Sequence, residues 1–478
     1  MTIKYLSTKG GVSPVDFDEA VLQGFALDGG LFVPDTIPTI TKKQFEDWST
    51  LNFTELAFKI LSLYIKSDLV SPDHLESIVQ KSFASFQSQE KVEIVQLAGF
   101  DKTYIVELFH GPTLSFKDMA MGFLLNIMDY FLEKRKNKIN IILATTGDTG
   151  PAAAWAAAGK NNINCWPLFP KGMITREQEL QMTTINADNV LPIGVSNCPD
   201  GGDDLDLVLA EIFSDNDLRE KLNLSSVNSI NWCRVMVQSI HYIYSYLKIA
   251  KSLDEKIVFS VPSGAFGNLF GGYLARAMGL PVYSFICANN VNNTLHNAFS
   301  TGVFQKNDLI ETKSSAIDIV VPYNFWRYLY FMIKKDGIKL NSLFDNFSKY
   351  GKIKFDDDIY QKIKDGFLSC SITDIDTIQT IKEVFSKSKY LLDPHTAVAV
   401  KSIDYLRNQL DDDSKLLCLA TAHPAKFPDI IKESLGSDVL PQQATHKSLN
   451  DSYLKKEKCD LCHLNELKTH LIESIKNT

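Results

Sequence analysis

Apolar residues along this chain switch between two spacings, and the switch points mark its elements. Between Lys42 and Ser88 they recur every three or four positions, with Leu56, Ile60, Leu63 and Tyr64 on one face, which predicts amphipathic helices. Before that region the chain is turn-rich, with Asp28-Gly29-Gly30 leading into Leu-Phe-Val-Pro. From about residue 100 onward short apolar runs alternate with helical patterns. Ile139 to Thr145 runs into TGDTGPAAAWAAAG, Ile257 to Val261 into PSGAFGN, and Lys415 to Leu419 into ATAHPAKF. A further helical pattern starts at Asp118 and carries Met119, Phe123, Leu124, Ile127, Met128 and Phe131 at helical spacing. Such alternation predicts an α/β fold with a mainly parallel sheet covered on both faces. Open sheets of this kind bind ligands beyond the carboxyl ends of their strands, where the small-residue loops lie.

Composition sharpens this picture. A chain of 478 residues is too long for one ordinary core and implies two or three domains. Its 45% hydrophobic and 22% charged residues are those of a soluble globular protein, and a net charge of −8 argues against nucleic acid as a partner. No apolar run reaches the length of a membrane span and Met1 to Thr8 does not resemble a signal peptide, so a cytoplasmic enzyme is expected. Cys165, Cys198, Cys233, Cys287, Cys370, Cys418, Cys459 and Cys462 are mostly scattered singly through apolar segments, as reduced buried thiols are. The stretch from Phe325 to about Ser388 is charged and helical, as expected of a solvated small domain or insertion. Gly436 to Thr478 reads as a polar, weakly helical tail.

The candidate chemistry centres on Lys117. It falls at or beside a helix N-terminus, after the turn at Gly111-Pro112, among apolar neighbours. Partial positive charge at a helix start and apolar surroundings both disfavour an ammonium, and both favour a nucleophilic amine able to form a Schiff base. A helix-cap lysine paired with Asp118 is the plainer alternative. The loop Ser263 to Asn268 suits a phosphate gripped by backbone N–H groups, or a tight structural turn. It lacks a clean dinucleotide fingerprint and the Gly-Lys-Ser/Thr of a nucleoside triphosphate loop. In Thr145 to Gly150, Asp148 or Thr149 can cap a helix, or Thr146, Gly147 and Thr149 can donate to a carboxylate. The haem-like CDLCH at Cys459 to His463 has no supporting feature, and a zinc half-site there lacks its second pair of ligands, so no metal is expected.

The motifs DGGLFVP, ELFHGPTLSFKD, TTGDTG, VNSINWCR, VPSGAFGN, DPHTAVAV and TAHPAKF occur in one chain in this order. From about Tyr5 to Gly436 the sequence resembles threonine synthase of the long, N-terminally extended class. The resemblance implies a pyridoxal 5'-phosphate enzyme of the tryptophan-synthase-β-like fold (fold type II), with two parallel-sheet domains and a helical N-terminal subdomain. It divides the chain into that subdomain at 1–95, a catalytic core at 96–435 containing the charged insertion, and the tail at 436–478. Lys117 matches the lysine that bonds the cofactor, and Gly264, Ala265, Phe266, Gly267 and Asn268 match its phosphate cradle. Thr421 matches the hydroxyl facing the pyridine nitrogen. Thr146, Gly147, Asp148 and Thr149 match the loop gripping the substrate carboxylate. Arg234 and Asn231 lie where the family binds the substrate's phosphate, with Lys171 as a helper.

Several positions depart from the family pattern. Ala265 replaces an asparagine, Thr146 a serine and Ile317 a methionine, while Gly202 to Asp206 (GDDLD) and Val321 to Asn324 (VPYN) look more like animal threonine-synthase-like proteins. The implied reaction converts O-phosphohomoserine and water to L-threonine and phosphate. The alternatives are a phospho-lyase yielding 2-oxobutyrate and a cofactor-binding protein without turnover. A monomer or homodimer, with no nucleic-acid or membrane partner, is expected.

Overall fold

A computed structural model describes residues 3–478. The N-terminal strands β1 (Tyr5–Ser7) and β2 (Phe32–Pro34) pair antiparallel. β3 (Glu93–Gln96) and β4 (Thr103–Glu107) open one large sheet, and β5 (Ile139–Ala144), β6 (Ile163–Pro170), β7 (Ile193–Ser196) and β8 (Leu224–Ser225) make most of a second. The chain then returns to the first sheet with β9 (Ile257–Pro262) and β10 (Ser284–Asn289). A small pair, β11 (Val303–Gln305) and β12 (Lys352–Lys354), precedes β13 (Phe367–Ser371) and β14 (Lys415–Ala420), which complete the first sheet. β15 (Asp460–His463) joins the second.

The first sheet has six strands in the order β13-β10-β9-β14-β4-β3, parallel except for the β3–β4 edge, and the second has five, all parallel, in the order β15-β7-β6-β5-β8. All six residues of β9 are buried, as are five of the six in β14, which suits strands covered on both faces. Helix Trp232–Ile249 is buried around its whole circumference from Trp232 to Leu247, so it is a core element and not a surface stripe. The N-terminal helix Phe53–Tyr64 starts with a reciprocal cap between Asn52 and Glu55 and buries Leu56, Ile60 and Tyr64. Its partner Pro72–Phe83 packs on helix Asp118–Arg135. Among the described residues no helix is long and apolar enough to cross a membrane.

Two stretches read as peripheral carry buried structure. Within the segment expected as a solvated insertion, Phe325, Trp326, Arg327, Tyr328 and Leu329 are buried and β13 pairs with β10. Its lysines and aspartates lie on the outer faces of the later helices. The tail folds back as well. β15 extends the second sheet, and helix Leu467–Lys476 buries Leu467, Leu471 and Ile475 against helix Gly202–Ser214 and that sheet. Only three of the ten residues of that helix are buried apolar ones, too sparse a pattern to separate from a polar tail by composition. The last four residues of CDLCH are the strand itself: Cys462 is buried, and Leu461 and His463 are exposed.

Leu471→Ala should therefore cost about 2–5 kcal/mol, the range for emptying a buried leucine site. Urea denaturation measures it. A change within about 0.5 kcal/mol, as for an exposed residue, would show that this helix buries no face.

Candidate active site

Lys117 takes the N-cap position of helix Asp118–Arg135, partly buried, on the wall of a cavity of about 650 Å³. Asp118 anchors the loop before it by accepting from the Thr113 N–H (2.8 Å) and hydroxyl (2.7 Å), which occupies the carboxylate that could otherwise pair with Lys117. Burial lowers the Lys117 ammonium pKa and Arg234 lowers it further; Asp148 opposes them and Lys426 adds a smaller push downward, leaving it at about 8 against an ordinary 10.5. The lysine is thus primed to lose its proton close to neutral pH.

The loops after β5 and β9 reach this cavity, whereas the loop after β14, with Thr421, lies behind Lys117 and outside the lining. Thr146 and Thr149 line it, and Thr145 accepts from the Gly147 N–H (3.2 Å) and the Gly150 N–H (3.0 Å) to hold the turn. Asp148 turns away from the cavity into the protein. It meets Lys426 at 2.7 Å in a fully buried ion pair and accepts from Gln178 at 3.0 Å. Burial pulls the Asp148 carboxyl up, but the charge and hydrogen bond of Lys426 outweigh it and hold the group below the usual carboxylate range. Gly147 stands at φ +148°, where an added Cβ would fall 2.5 Å from the Gln178 amide. Thr421 follows β14, its carbonyl accepting from the Phe116 N–H at 2.8 Å, beside Lys117. Its hydroxyl has no hydrogen-bond partner among the described residues.

The loop after β9 is open to an anion. Phe266 has left-handed φ (62°), and the N–H groups from Ala265 to Asn268 find no acceptor among the described residues. The Ser263 hydroxyl and the Asn268 amide Nδ2 are buried without partners. Asn268 Oδ1 is fixed by the Tyr242 hydroxyl (3.0 Å) and by His241 Nε2 (2.9 Å). That bond places the His241 proton on Nε2, and burial holds the ring neutral, with its pKa lowered to about 3. An added Cβ at Gly264 would meet the Ile317 main chain at 2.9 Å, so the loop tolerates no bulk there. Orphan donors in a glycine cradle at a helix N-terminus fit the phosphate of pyridoxal phosphate, and Lys117 on the same cavity fits its aldehyde.

A second anion-seeking group is Arg234, 1% exposed, whose Nη1 donates to the Val227 carbonyl at 2.7 Å while Nε has no partner. No carboxylate lies within ion-pair distance of it among the described residues, and burial lowers its pKa to about 10. Asn228 and Ser229 line the cavity beside it, the Asn228 Oδ1 also unpaired. Asn231 is placed otherwise than expected. It is fully buried and its amide is spent inside the protein: Oδ1 accepts from the Cys233 N–H (3.1 Å), and Nδ2 donates to Val21 O (2.9 Å) and Ser226 O (3.3 Å). It caps the helix that carries Arg234. Lys171 likewise lies off this cavity, half exposed and paired with Glu179.

Sequence reading missed the cavity's outer wall. Asp203, Asp206 and Tyr323 line it, and the Tyr323 hydroxyl donates to Asp206 at 3.4 Å. The two segments that depart from the family pattern, GDDLD and VPYN, therefore meet across the mouth. Burial and then the neighbouring Asp203 push the Asp206 carboxyl up to about 7. Lys426 and Gln178 were also missed. The only signal for Lys426 was a lysine inside an otherwise small and apolar motif.

Comparison with known proteins agrees with this geometry. The family description Threonine synthase N terminus matches residues 4–83, Pyridoxal-phosphate dependent enzyme matches 91–335, and Threonine synthase, C-terminal matches 396–471. A threonine synthase of Saccharomyces cerevisiae is 36% identical over 94% of each chain, and a threonine synthase-like 2 protein of Xenopus laevis is 36% identical over 92% of each. The crystal structure of a pyridoxal-phosphate-bound threonine synthase from Brucella melitensis superposes with a TM-score of 0.91 at 33% identity, covering 100% of this chain and 99% of the other. With its cradle, its lysine and its full-length likeness to these proteins, the chain belongs to the threonine synthase family of pyridoxal-phosphate-dependent enzymes.

Proposed function

We propose that the protein converts O-phosphohomoserine and water to L-threonine and phosphate. The observation that carries this reading is one cavity holding a lysine primed to deprotonate, a glycine cradle with free N–H donors, and a separate buried arginine with no counter-charge. Two anion sites flanking one amine suit a phosphorylated cofactor and a phosphorylated amino-acid substrate.

Gly264 to Asn268 would hold the cofactor phosphate, with Ser263 and Asn268 supplying side-chain donors. Thr421 would face the pyridine nitrogen with a neutral hydroxyl. When bound, pyridoxal phosphate supplies a conjugated ring that takes up negative charge from the substrate's Cα. Lys117 would hold the cofactor and, once freed from it, would move protons at the substrate's Cα, Cβ and Cγ. The N–H and hydroxyl groups of Thr146 and Thr149 hold the substrate carboxylate. Arg234 would grip the phosphate, which leaves from Cγ; the proton taken from Cβ is returned at Cγ, a water adds its hydroxyl at Cβ, and its other proton ends on the released phosphate. The balance is one water consumed and one phosphate released for each threonine formed.

A phospho-lyase that forgoes water addition is the second reading, and Ala265 is the observation favouring it. The position lines the cavity with a methyl group where the resemblance expects an amide. Incubation with O-phosphohomoserine and NMR of the carbon products separates the two. Threonine and phosphate in equal amounts are expected, and 2-oxobutyrate as the main product would overturn the synthase reading.

Arg234→Ala should keep the bound cofactor but weaken inorganic phosphate and substrate together. Truncating one side of a buried charged contact costs about 2–5 kcal/mol, and kcat/KM should fall accordingly. Steady-state kinetics with phosphate as competitive inhibitor measures this, and unchanged constants would remove Arg234 from the site.

Lys117 sets a pH dependence. Only the unprotonated amine attacks an aldehyde, so cofactor reloading onto the apoprotein should speed up with rising pH around a midpoint of about 8, not the ordinary 10.5. Absorbance stopped-flow across pH reads the midpoint. Lys117→Ala should give no lysine-linked absorbance at any pH, and its persistence would sink the assignment.

A further inference from the structure

Arg327 is fully buried and touches neither the cavity nor any carboxylate, yet it bonds to three of the cavity's walls. Its Nε donates to the Phe32 carbonyl (3.1 Å) in β2, beside Gly30 and Leu31 at the cavity mouth. Nη1 donates to the Ser229 carbonyl (2.8 Å) and to Asn324 Oδ1, and Nη2 donates to the Ile230 carbonyl. Asn324 carries the connection onward. Its Nδ2 donates to the Ser229 hydroxyl (2.9 Å) and to the Ala265 carbonyl (3.2 Å), and its main-chain N–H donates to the same carbonyl (3.2 Å). Ser229, Ile230 and Ala265 all line the cavity.

We propose that Arg327 is a positioning residue for the reaction: its guanidinium, relayed by Asn324, fixes the spacing between the glycine cradle at Ala265 and the Ser229–Ile230 segment that leads to Arg234. This rests on the reading that those two loops hold the cofactor phosphate and the substrate phosphate. Burying a guanidinium without a carboxylate is unfavourable unless each N–H finds an acceptor. Here the Ser229 and Ile230 carbonyls of one of those loops accept directly, and Asn324 Oδ1, which accepts as well, links Arg327 to the other at Ala265. A planar fork can span three loops at set angles, whereas a lysine offers donors from a single point. The charge remains uncancelled among the described residues, so the wall behind both anion sites keeps a positive bias.

The test compares Arg327→Lys and Arg327→Met holoenzymes with the unmodified holoenzyme, using 31P NMR titration of inorganic phosphate, steady-state kinetics and thermal melting. Both variants should keep the absorbance of lysine-bound cofactor. Phosphate affinity should fall at least about tenfold and kcat/KM about a hundredfold, the scale of an ångström's misplacement. Arg327→Lys should retain more phosphate affinity than Arg327→Met. A lowered melting temperature with unchanged phosphate affinity and kcat/KM would reduce Arg327 to a structural role and overturn the proposal. Should neither variant yield folded holoenzyme, Asn324→Ala leaves Arg327 its three carbonyls and removes only the side-chain relay through Oδ1 and Nδ2. It should lower phosphate affinity in the same direction, and an unchanged affinity would overturn the proposal equally. Phosphate binding needs no turnover, which keeps the two readings apart. Unmodified protein that binds phosphate but makes no threonine refutes the proposed function alone, and protein that binds no phosphate refutes the positioning role.

Discussion

The buried ion pair of Asp148 with Lys426 is the contact on which the site depends, because it joins the two sheets where their loops meet. Asp148 lies in the loop after β5 of the second sheet, and Lys426 in the turn after β14 of the first. Lys426 also donates to the Thr113 carbonyl at 3.0 Å, so the loop bearing Lys117 is held by the same ammonium. Removing one partner of such a pair leaves an uncompensated buried charge, typically about 3–5 kcal/mol. The Asp148 carboxyl titrates below its unfolded value, so the pair contributes stability at neutral pH that is lost as acid protonates it. Loops from separate sheets are thereby held in a single arrangement.

Around this pair the cavity is built from groups the protein leaves unsatisfied. The amides after β9, the Ser263 hydroxyl, Asn268 Nδ2 and Arg234 Nε are all donors without acceptors. Such groups are costly to bury, and an anion that satisfies them recovers that cost on binding. The overall charge of −8 says nothing of this, since it sums surface and interior groups alike. Local desolvation, not net charge, sets the chemistry of Lys117.

Much of this was legible in the sequence, and the remainder was hidden for identifiable reasons. Apolar runs followed by small residues located the strands β5, β9 and β14 and the loops after them, because parallel strands and anion-binding turns impose strong local rules. Lys117 could be placed at a helix start from the helical spacing that begins at Asp118 and the turn at Gly111-Pro112 before it. Asn231 illustrates the opposite case. A motif can assign it to a ligand, but only the fold shows that Val21, distant in sequence, takes its amide. Arg327 was hidden for the same reason, since a lone charge in NFWRYLYF reads as a side chain reaching to solvent until the carbonyls of Phe32, Ser229 and Ile230 are seen around it. Cross-sheet pairings such as Asp148–Lys426 leave no periodic trace in either segment.

The pairing of β15 with β7 sets a time order on assembly. Its contacts join residues as far apart as Ser196 and His463, 267 positions along the chain. Contacts between such distant segments form slowly, because a long loop must close before they stabilise anything. During synthesis the second sheet therefore waits with an open edge until the last helix and strand have emerged. The sheet that presents Thr146 and Thr149 is thus finished after the one that presents Ala265, which β14 completes.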